Sequence, residues 1–229
     1  AAAAAASRWA GRDRALAPLQ AEVHVGAMDS HRFNLDRVAR ALRAPGPGSS
    51  DYDLNPDARP GGRLRLRPAS VLVPLVERGG ALNVLLTRRA ARLAHHPGQI
   101  AFPGGKQDAG DADALAAALR EAEEEIGLAP ERVEVLGAFD AHETVTHFLV
   151  TPFVGLVRAP FAPLVDRAEV DEAFEVPLGF VLDPANLQVH RRIWAGHERR
   201  YYAIPYGPYY IWGATARILK TLSDRVAGP

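Results

Sequence analysis

Three carboxylates, Glu121, Glu124 and Glu125, sit at the end of a run whose composition is otherwise that of a helix. From Asp111 or Ala112 onward the chain is rich in Ala, Leu and Glu, and Gly127 supplies a stop. The last turns of a helix favour cations, yet Glu121, Glu123, Glu124 and Glu125 crowd them. Like charges three and four residues apart repel as well. With each residue advancing about 100°, Glu121, Glu124 and Glu125 fall within an arc of about 100°, while Leu115, Leu119, Ala122 and Ile126 fall within a separate arc of roughly 60°. Three carboxylates on one face suit a hard divalent cation such as Mg²⁺ or Mn²⁺. Ala117 and Ala118, one turn earlier, are expected to leave room for a ligand. A solvated acidic face is the commoner fate of a Glu run. Gly104-Gly105 just upstream favours the metal reading, because a loop without side chains lets backbone approach a metal or a phosphate.

The elements that position these residues follow from pattern. Leu35, Val38 and Leu42 predict an amphipathic helix over residues 31–43. Residues 45–62 are a Pro/Gly/Asp-rich loop. Arg63, Arg65 and Arg67 alternate with Leu, which predicts a strand with the arginines on one solvated face. Residues 69–77 and 81–87 read as two buried strands around Gly79-Gly80. After the helix, residues 132–139 and 148–157 read as strands and residues 177–182 as a short helix. Residues 188–194 and 199–204 form a hairpin turning at Gly196, and a helix is expected over residues 209–226 with Ile211, Thr215, Ile218 and Leu222 on its packed face. His142-Glu143-Thr144-Val145-Thr146-His147 has one residue too many for a helical zinc pair, and its β-branched centre disfavours the helix that pair needs.

The whole chain sets outer bounds. Its 229 residues suffice for one sizeable core. Balanced charge, 27 basic against 27 acidic residues, gives no global pull toward nucleic acid or an anionic membrane. The absence of cysteine excludes disulfides, thiolate catalysis and cysteine-based zinc sites and fits a cytoplasmic protein. No apolar run approaches the roughly 20 residues that span a bilayer. Residues 1–27 open with six alanines and read as a non-native or disordered extension, with Met28 as the natural start and residues 28–229 as one domain.

The stretch Gly105, Arg120, Glu121, Glu124, Glu125, Gly127, Leu128 resembles the Nudix box, G-x5-E-x7-R-E-U-x-E-E-x-G-U with U aliphatic. One residue is inserted between Gly105 and Arg120, and Asp111 stands near the place of the first Glu. Upstream, Leu85-Leu86-Thr87-Arg88-Arg89-Ala90 and the run through Gly98 to Phe102-Pro103-Gly104-Gly105 resemble L-L-T-x-R-[SA]-x3-R-x3-G-x3-F-P-G-G, a signature of the coenzyme A pyrophosphatase branch of that family. Ala94 replaces its second Arg, a loss that Arg92 or Arg88 would have to cover. The segment Ile211-Trp212-Gly213-Ala214-Thr215-Ala216 is similar to the C-terminal segment of the same branch.

The resemblance implies an α/β fold, a Nudix-type α/β/α sandwich with a mixed central sheet. It implies hydrolysis of the pyrophosphate of coenzyme A or a derivative to 4′-phosphopantetheine and 3′,5′-ADP, with Mg²⁺ or Mn²⁺ as cofactor. Glu121, Glu124, Glu125 and the Gly105 carbonyl are then the metal ligands, and Arg120 orients a box glutamate. Arg89, Gly104 and Lys106 are the expected substrate contacts, Arg89 as a clamp on phosphate oxygens. The base is a box glutamate or a later-loop carboxylate, and Glu169 and Glu172 are the candidates for that base or for a further metal ligand. His95 and His96 are weaker substrate candidates, and Arg191, Arg192 and Arg199 are candidate contacts for an adenosine 3′-phosphate on basic character alone. The rival readings are a Nudix enzyme for ADP-ribose, NADH or nucleoside triphosphates, and a non-catalytic nucleotide-binding regulator. The expected partner is a small molecule, with no nucleic acid and no membrane, and a homodimer is compatible with the sequence.

Overall fold

A computed structural model describes residues 35–43, 46–62, 64–158, 160–194 and 196–228. The expectations for residues 1–27, Met28 and the first residues of the N-terminal helix lie outside them. In chain order the elements are α1 (Leu35–Arg43), β1 (Ser49–Ser50), β2 (Arg67–Arg78), β3 (Ala81–Arg89), β4 (Ile100–Ala101), β5 (Gly104–Lys106), α2 (Ala114–Ile126), β6 (Val133–Ala138), β7 (His142–Glu143), β8 (Phe148–Val157), β9 (Val170–Pro177), α3 (Leu178–Val181), β10 (Gln188–Trp194), β11 (His197–Tyr206), β12 (Tyr209–Trp212) and α4 (Ala214–Ala227).

The central sheet is mixed. Its main path runs β1-β7-β8-β2-β3-β4, with β5 pairing β2, β6 pairing β8 and β9 pairing β3. The β2–β8 and β1–β7 pairs are parallel and the others antiparallel. A strand covered on both faces reads as a continuous apolar run, and β2 and β3 show why. Val73 and Leu75 of β2 and Val84 and Leu86 of β3 enter a core shared with α1, α3 and α4. Leu72, Val76 and Leu85 enter a second core under Ala118, Ala122 and Ile126 of α2. The result is a sheet between helical layers. β10, β11 and β12 form a separate three-stranded sheet. Among the described residues no helix is long and apolar enough to cross a membrane.

Four expectations need correction. Residues 64–66 are not strand; β2 begins at Arg67, where Phe148 of β8 first offers a partner. Arg67 then lies over the Phe148 ring at 4.0 Å and donates to the Thr146 carbonyl rather than standing on a solvated strand face with Arg65; Arg63 lies outside the described residues. Residues 209–212 are strand because β11 pairs with them, and Gly213, at φ 64°, ends the strand before α4. The loop of residues 45–62 contains β1 and a 3-10 turn at Pro56–Ala58. Finally, Ala117 and Ala118 are fully buried, Ala118 within the apolar core, and do not line an open space; Leu115 and Leu119 are the partly exposed ones. The packed face of α2 is therefore turned toward the carboxylates, and this turn buries Glu125.

The segment at residues 142–147 is strand and turn. His142 is buried between Ser49 Oγ, 2.9 Å from its Nδ1, and Asp51 Oδ1, 3.1 Å from its Nε2, which fastens β1 to β7.

Candidate active site

Both ends of α2 are fixed by local chemistry. Asp113 caps the start, accepting from the Ala116 N–H at 2.8 Å. At the other end Gly127 takes the left-handed conformation, φ 69°, and Gly127 and Leu128 N–H groups return to the Glu123 and Ala122 carbonyls. The following loop donates Leu164 N–H to the Ile126 carbonyl and Asp166 N–H to the Glu125 carbonyl. The acidic end is thus closed by backbone donors.

β5 lies beside the last turns of this helix. A Cβ on Gly105 would stand 2.5 Å from the Glu121 carboxylate carbon, so the glycine is what admits that carboxylate. Gly104, at φ 151°, lies so close to β2 that a Cβ would run into the Ser70 carbonyl and Val71 Cα. Its backbone faces the Glu125 carboxyl and works against the rise of its pKa.

Glu125 is the least satisfied charge-bearing group of the site. Its side chain is only 3% exposed, and Oε2 has no hydrogen-bond partner. Burial pushes its carboxyl up to about 8, Arg89 working against the shift and Glu121 and Glu169 with it. Arg89 Nη1 stands 3.8 Å from Glu125 Oε1, and Arg89 Nε is also buried without a partner. A bulge in the β3–β9 ladder sets Arg89: pairing steps from Arg88 with Glu172 to Arg89 with Val170, and the extra residue, Asp171, accepts from the Ala91 N–H.

Arg120 is the opposite case. Its guanidinium donates to Asp111 through Nε at 2.9 Å and Nη2 at 3.0 Å, to Glu121 at 3.1 Å, to Glu124 at 2.9 Å and to the Lys106 carbonyl at 3.3 Å. The Arg120 hydrogen bonds, with the Asp108 N–H, hold the Asp111 carboxyl below its ordinary value. Glu121 is raised by burial despite Arg120.

The structure therefore brings together Gly104, Gly105, Arg89, Arg120, Glu121, Glu124 and Glu125. Glu169 joins them: its charge raises both Glu121 and Glu125, and its carbonyl receives the Ala90 N–H at 2.8 Å. Glu172 does not, being held by Arg88 Nη2 at 3.1 Å and Tyr209 Oη at 2.7 Å. That contact also commits Arg88, so it does not replace the arginine missing at Ala94. Lys106 contributes its carbonyl, while its side chain is exposed, as are Arg92, His95 and His96. Asp111, which the sequence places near the first box Glu without assigning it a role, is the anchor of Arg120. Five residues separate it from Gly105, the box spacing for the first Glu, so the insertion falls between Asp111 and Arg120.

Comparison with known proteins agrees with this geometry. The NUDIX domain family matches residues 66–195. Two curated relatives, each described as an uncharacterized Nudix hydrolase NudL, come from Enterobacter sp. (strain 638) and Klebsiella pneumoniae (strain 342). They are 42% and 39% identical over 202 residues, covering 87% of this chain and 98% of theirs. The chain belongs to the Nudix family. A solved MutT/nudix family protein from Enterococcus faecalis is 17% identical, covering 75% of this chain and 66% of its own, with a TM-score of 0.46.

As a Nudix hydrolase the protein acts on a pyrophosphate-containing substrate, and such hydrolases generally use divalent metal ions. The residues present fit a cation. Glu125 is a buried carboxylate with an orphaned oxygen and a raised pKa that Arg89, at 3.8 Å, only partly offsets, and a divalent ion would take the place of its proton. Among the described residues no three such ligands converge, because Arg120 holds Glu121 and Glu124. Glu121 and Glu124 would have to exchange Arg120 for the ion, and Asp111 is placed to retain the guanidinium when they do.

Proposed function

We propose that this Nudix hydrolase cleaves the pyrophosphate of coenzyme A or an acylated or oxidised derivative, releasing 4′-phosphopantetheine and 3′,5′-ADP. One observation carries the reading: the upstream signature and the box meet in space. Arg89 and Gly104, from the run that resembles the coenzyme A branch, both contact Glu125 of the helix. A bound Mg²⁺ or Mn²⁺ would supply charge neutralisation for the phosphates and acidify a coordinated water.

The chain's own residues do the rest. Glu125, Glu121 and Glu124, with the Gly105 carbonyl, would hold the ions. Arg89 lies beside Glu125, where its guanidinium neutralises one pyrophosphate oxygen and fixes the diphosphate against the Gly104-Gly105 backbone. Arg120 orients Glu121 and Glu124 before the ion binds and would be retained by Asp111 once they turn to it. Glu169, close to Glu121 and Glu125 and on a turn closed by Asp166, is the better-placed later carboxylate to take a proton from water.

The test is product analysis. Purified protein is incubated with Mg²⁺ or Mn²⁺ and, in parallel, coenzyme A, ADP-ribose, NADH and a nucleoside triphosphate. Release of 3′,5′-ADP with a kcat/KM above that for the other three is the expected result. Cleavage of ADP-ribose, NADH or the triphosphate without cleavage of coenzyme A overturns the substrate assignment.

A further inference from the structure

The β10–β11 hairpin departs from what its own stability asks for. Arg191 stands directly opposite Arg200, and Arg192 directly opposite Arg199. Like charges across a rung destabilise a strand pair, and here two successive rungs carry the penalty. In a chain with 27 basic and 27 acidic residues, four guanidiniums meet on this hairpin, and among the described residues Glu198 is the only carboxylate that reaches them. Glu198 stands 3.6 Å from Arg191 and 3.5 Å from Arg200. Those separations exceed a good hydrogen bond, and exposed pairs of this kind contribute little. A local rule broken without compensation points to function.

The surroundings are built. Beside the Arg191/Arg200 rung lies an open hollow of about 490 Å³ lined by Val189, His190, Arg191, Arg200 and Tyr201. His190 is held at both ring nitrogens, by Tyr210 Oη at 2.6 Å and Gln188 Oε1 at 2.7 Å, and Tyr210 Oη also reaches Tyr201 Oη at 3.3 Å. The Asn55 side chain bolts the backbone of Arg200 to the body of the protein. Its Nδ2 donates to the Arg200 carbonyl and its Oδ1 accepts from the Arg200 N–H, both at 2.8 Å. The backbone of Arg200 is thus fixed, with the His190 and Tyr201 side chains tied on the opposite face of the hairpin, while the two guanidiniums remain largely exposed.

We propose that this hollow binds the terminal phosphomonoester of a nucleotide, gripped between Arg191 and Arg200. A phosphomonoester carries nearly two charges and three acceptor oxygens, which match two guanidinium forks better than one carboxylate does. Its identity as the adenosine 3′-phosphate of coenzyme A rests on the proposed function; its chemical class does not.

The experiment compares wild type with R191Q/R200Q by calorimetry, using adenosine 3′,5′-bisphosphate and adenosine 5′-monophosphate as probes. Wild type is expected to bind the bisphosphate about tenfold tighter or more, the scale of one charge-assisted contact, and the variant to bind both alike. Its melting temperature should hold or rise, because a repulsive rung has been relieved. For coenzyme A the variant's KM should rise with little change in kcat, and for its 3′-dephospho form neither should change. Equal bisphosphate affinity in the two proteins overturns the proposal, as does a lowered melting temperature that accounts for lost binding. Tighter wild-type binding of a single-stranded RNA than of the bisphosphate overturns it in favour of a nucleic-acid surface. Failure to cleave coenzyme A sinks the function reading alone, since the calorimetric comparison still decides what the hollow takes.

Discussion

The two faces of the central sheet are built from alternate residues of the same strands, yet they solve different problems. On the α1/α3/α4 face, Val73, Leu75, Val84 and Leu86 meet a broad apolar cluster that includes Leu219 and Leu222 of α4. Buried hydroxyls of α4 are answered there: Thr215 donates to the Ile100 carbonyl and Ser223 to the Leu182 carbonyl. On the α2 face the apolar cluster is smaller, and Arg89 Nε and Glu125 Oε2 are buried beside it without partners. An unsatisfied buried polar group costs about 1–3 kcal/mol, more when charged. One face holds the fold together, and the other spends part of that stability on a site.

The largest test of this contrast is Glu125→Gln. Activity with saturating metal should fall on the order of a thousandfold, the loss of several kcal/mol of transition-state stabilisation, as read from kcat on the cleaved pyrophosphate. The same change should help the metal-free fold at high pH. The sign follows from burial: a carboxyl whose folded value is about 8 against an ordinary 4.5 favours the folded state in its protonated form. Its contribution is present below about 4.5 and lost as pH rises through about 8. In chelator, wild-type stability should therefore decline across that window, and the Gln variant should lose this part of the decline. Denaturant titrations at pH 5 and pH 8.5 check it, and an unchanged pH slope would place Glu125 in a more polar setting than described.

Leu219→Ala tests the other face. Leu219 is fully buried in the α4 core, so truncation should cost about 2–5 kcal/mol, visible as a lower midpoint in denaturant. The kcat/KM of the folded fraction should stay near wild type. A large loss of activity at a temperature where the variant is folded would show that the two faces are not separable.

How much of this was legible in the sequence depends on how local the signal is. The helix, its Gly127 stop, the β2–β3 hairpin and β8 follow from periodicity and turn chemistry. The packed arc of α2 holds at Leu119, Ala122 and Ile126 but extends further toward the carboxylates than the helical wheel predicts. The sheet also covers Ala117 and Ala118, and Leu115 is left partly exposed. This non-local choice is what buries Glu125. Likewise Glu169 and Glu172, alike in sequence, are separated only by the bulge at Asp171 and by Tyr209, which arrives from the far end of the chain. Residues 64–66 alternate like a strand but have no partner to pair with.

Asp111→Asn sharpens the contrast inside the α2 face itself. Asp111 touches no expected metal position, yet it takes two of the hydrogen bonds of Arg120. With it neutralised, Arg120 should lean further onto Glu121 and Glu124 and compete with the metal. Metal affinity, measured by calorimetry with Mn²⁺, should drop about ten- to a hundredfold, as for other groups that orient ligands. An unchanged affinity would mean that Glu121 and Glu124 alone suffice to hold the guanidinium.

Two residues away, Asp113→Ala should do almost none of this. Asp113 and Asp111 look interchangeable in sequence, both acids at the mouth of the same helix, but their partners differ in kind. Asp113 accepts a single backbone N–H, that of Ala116, and serves the helix. Asp111 accepts a guanidinium and the Asp108 N–H, and serves the site. Loss of the cap should cost about 1 kcal/mol, a fall of a few degrees in melting temperature, with kcat and metal affinity unchanged. A fall in metal affinity comparable to that of Asp111→Asn would show that the start of α2 is coupled to its acidic end as a rigid body, and that the inserted residue between Asp111 and Arg120 does not insulate one from the other.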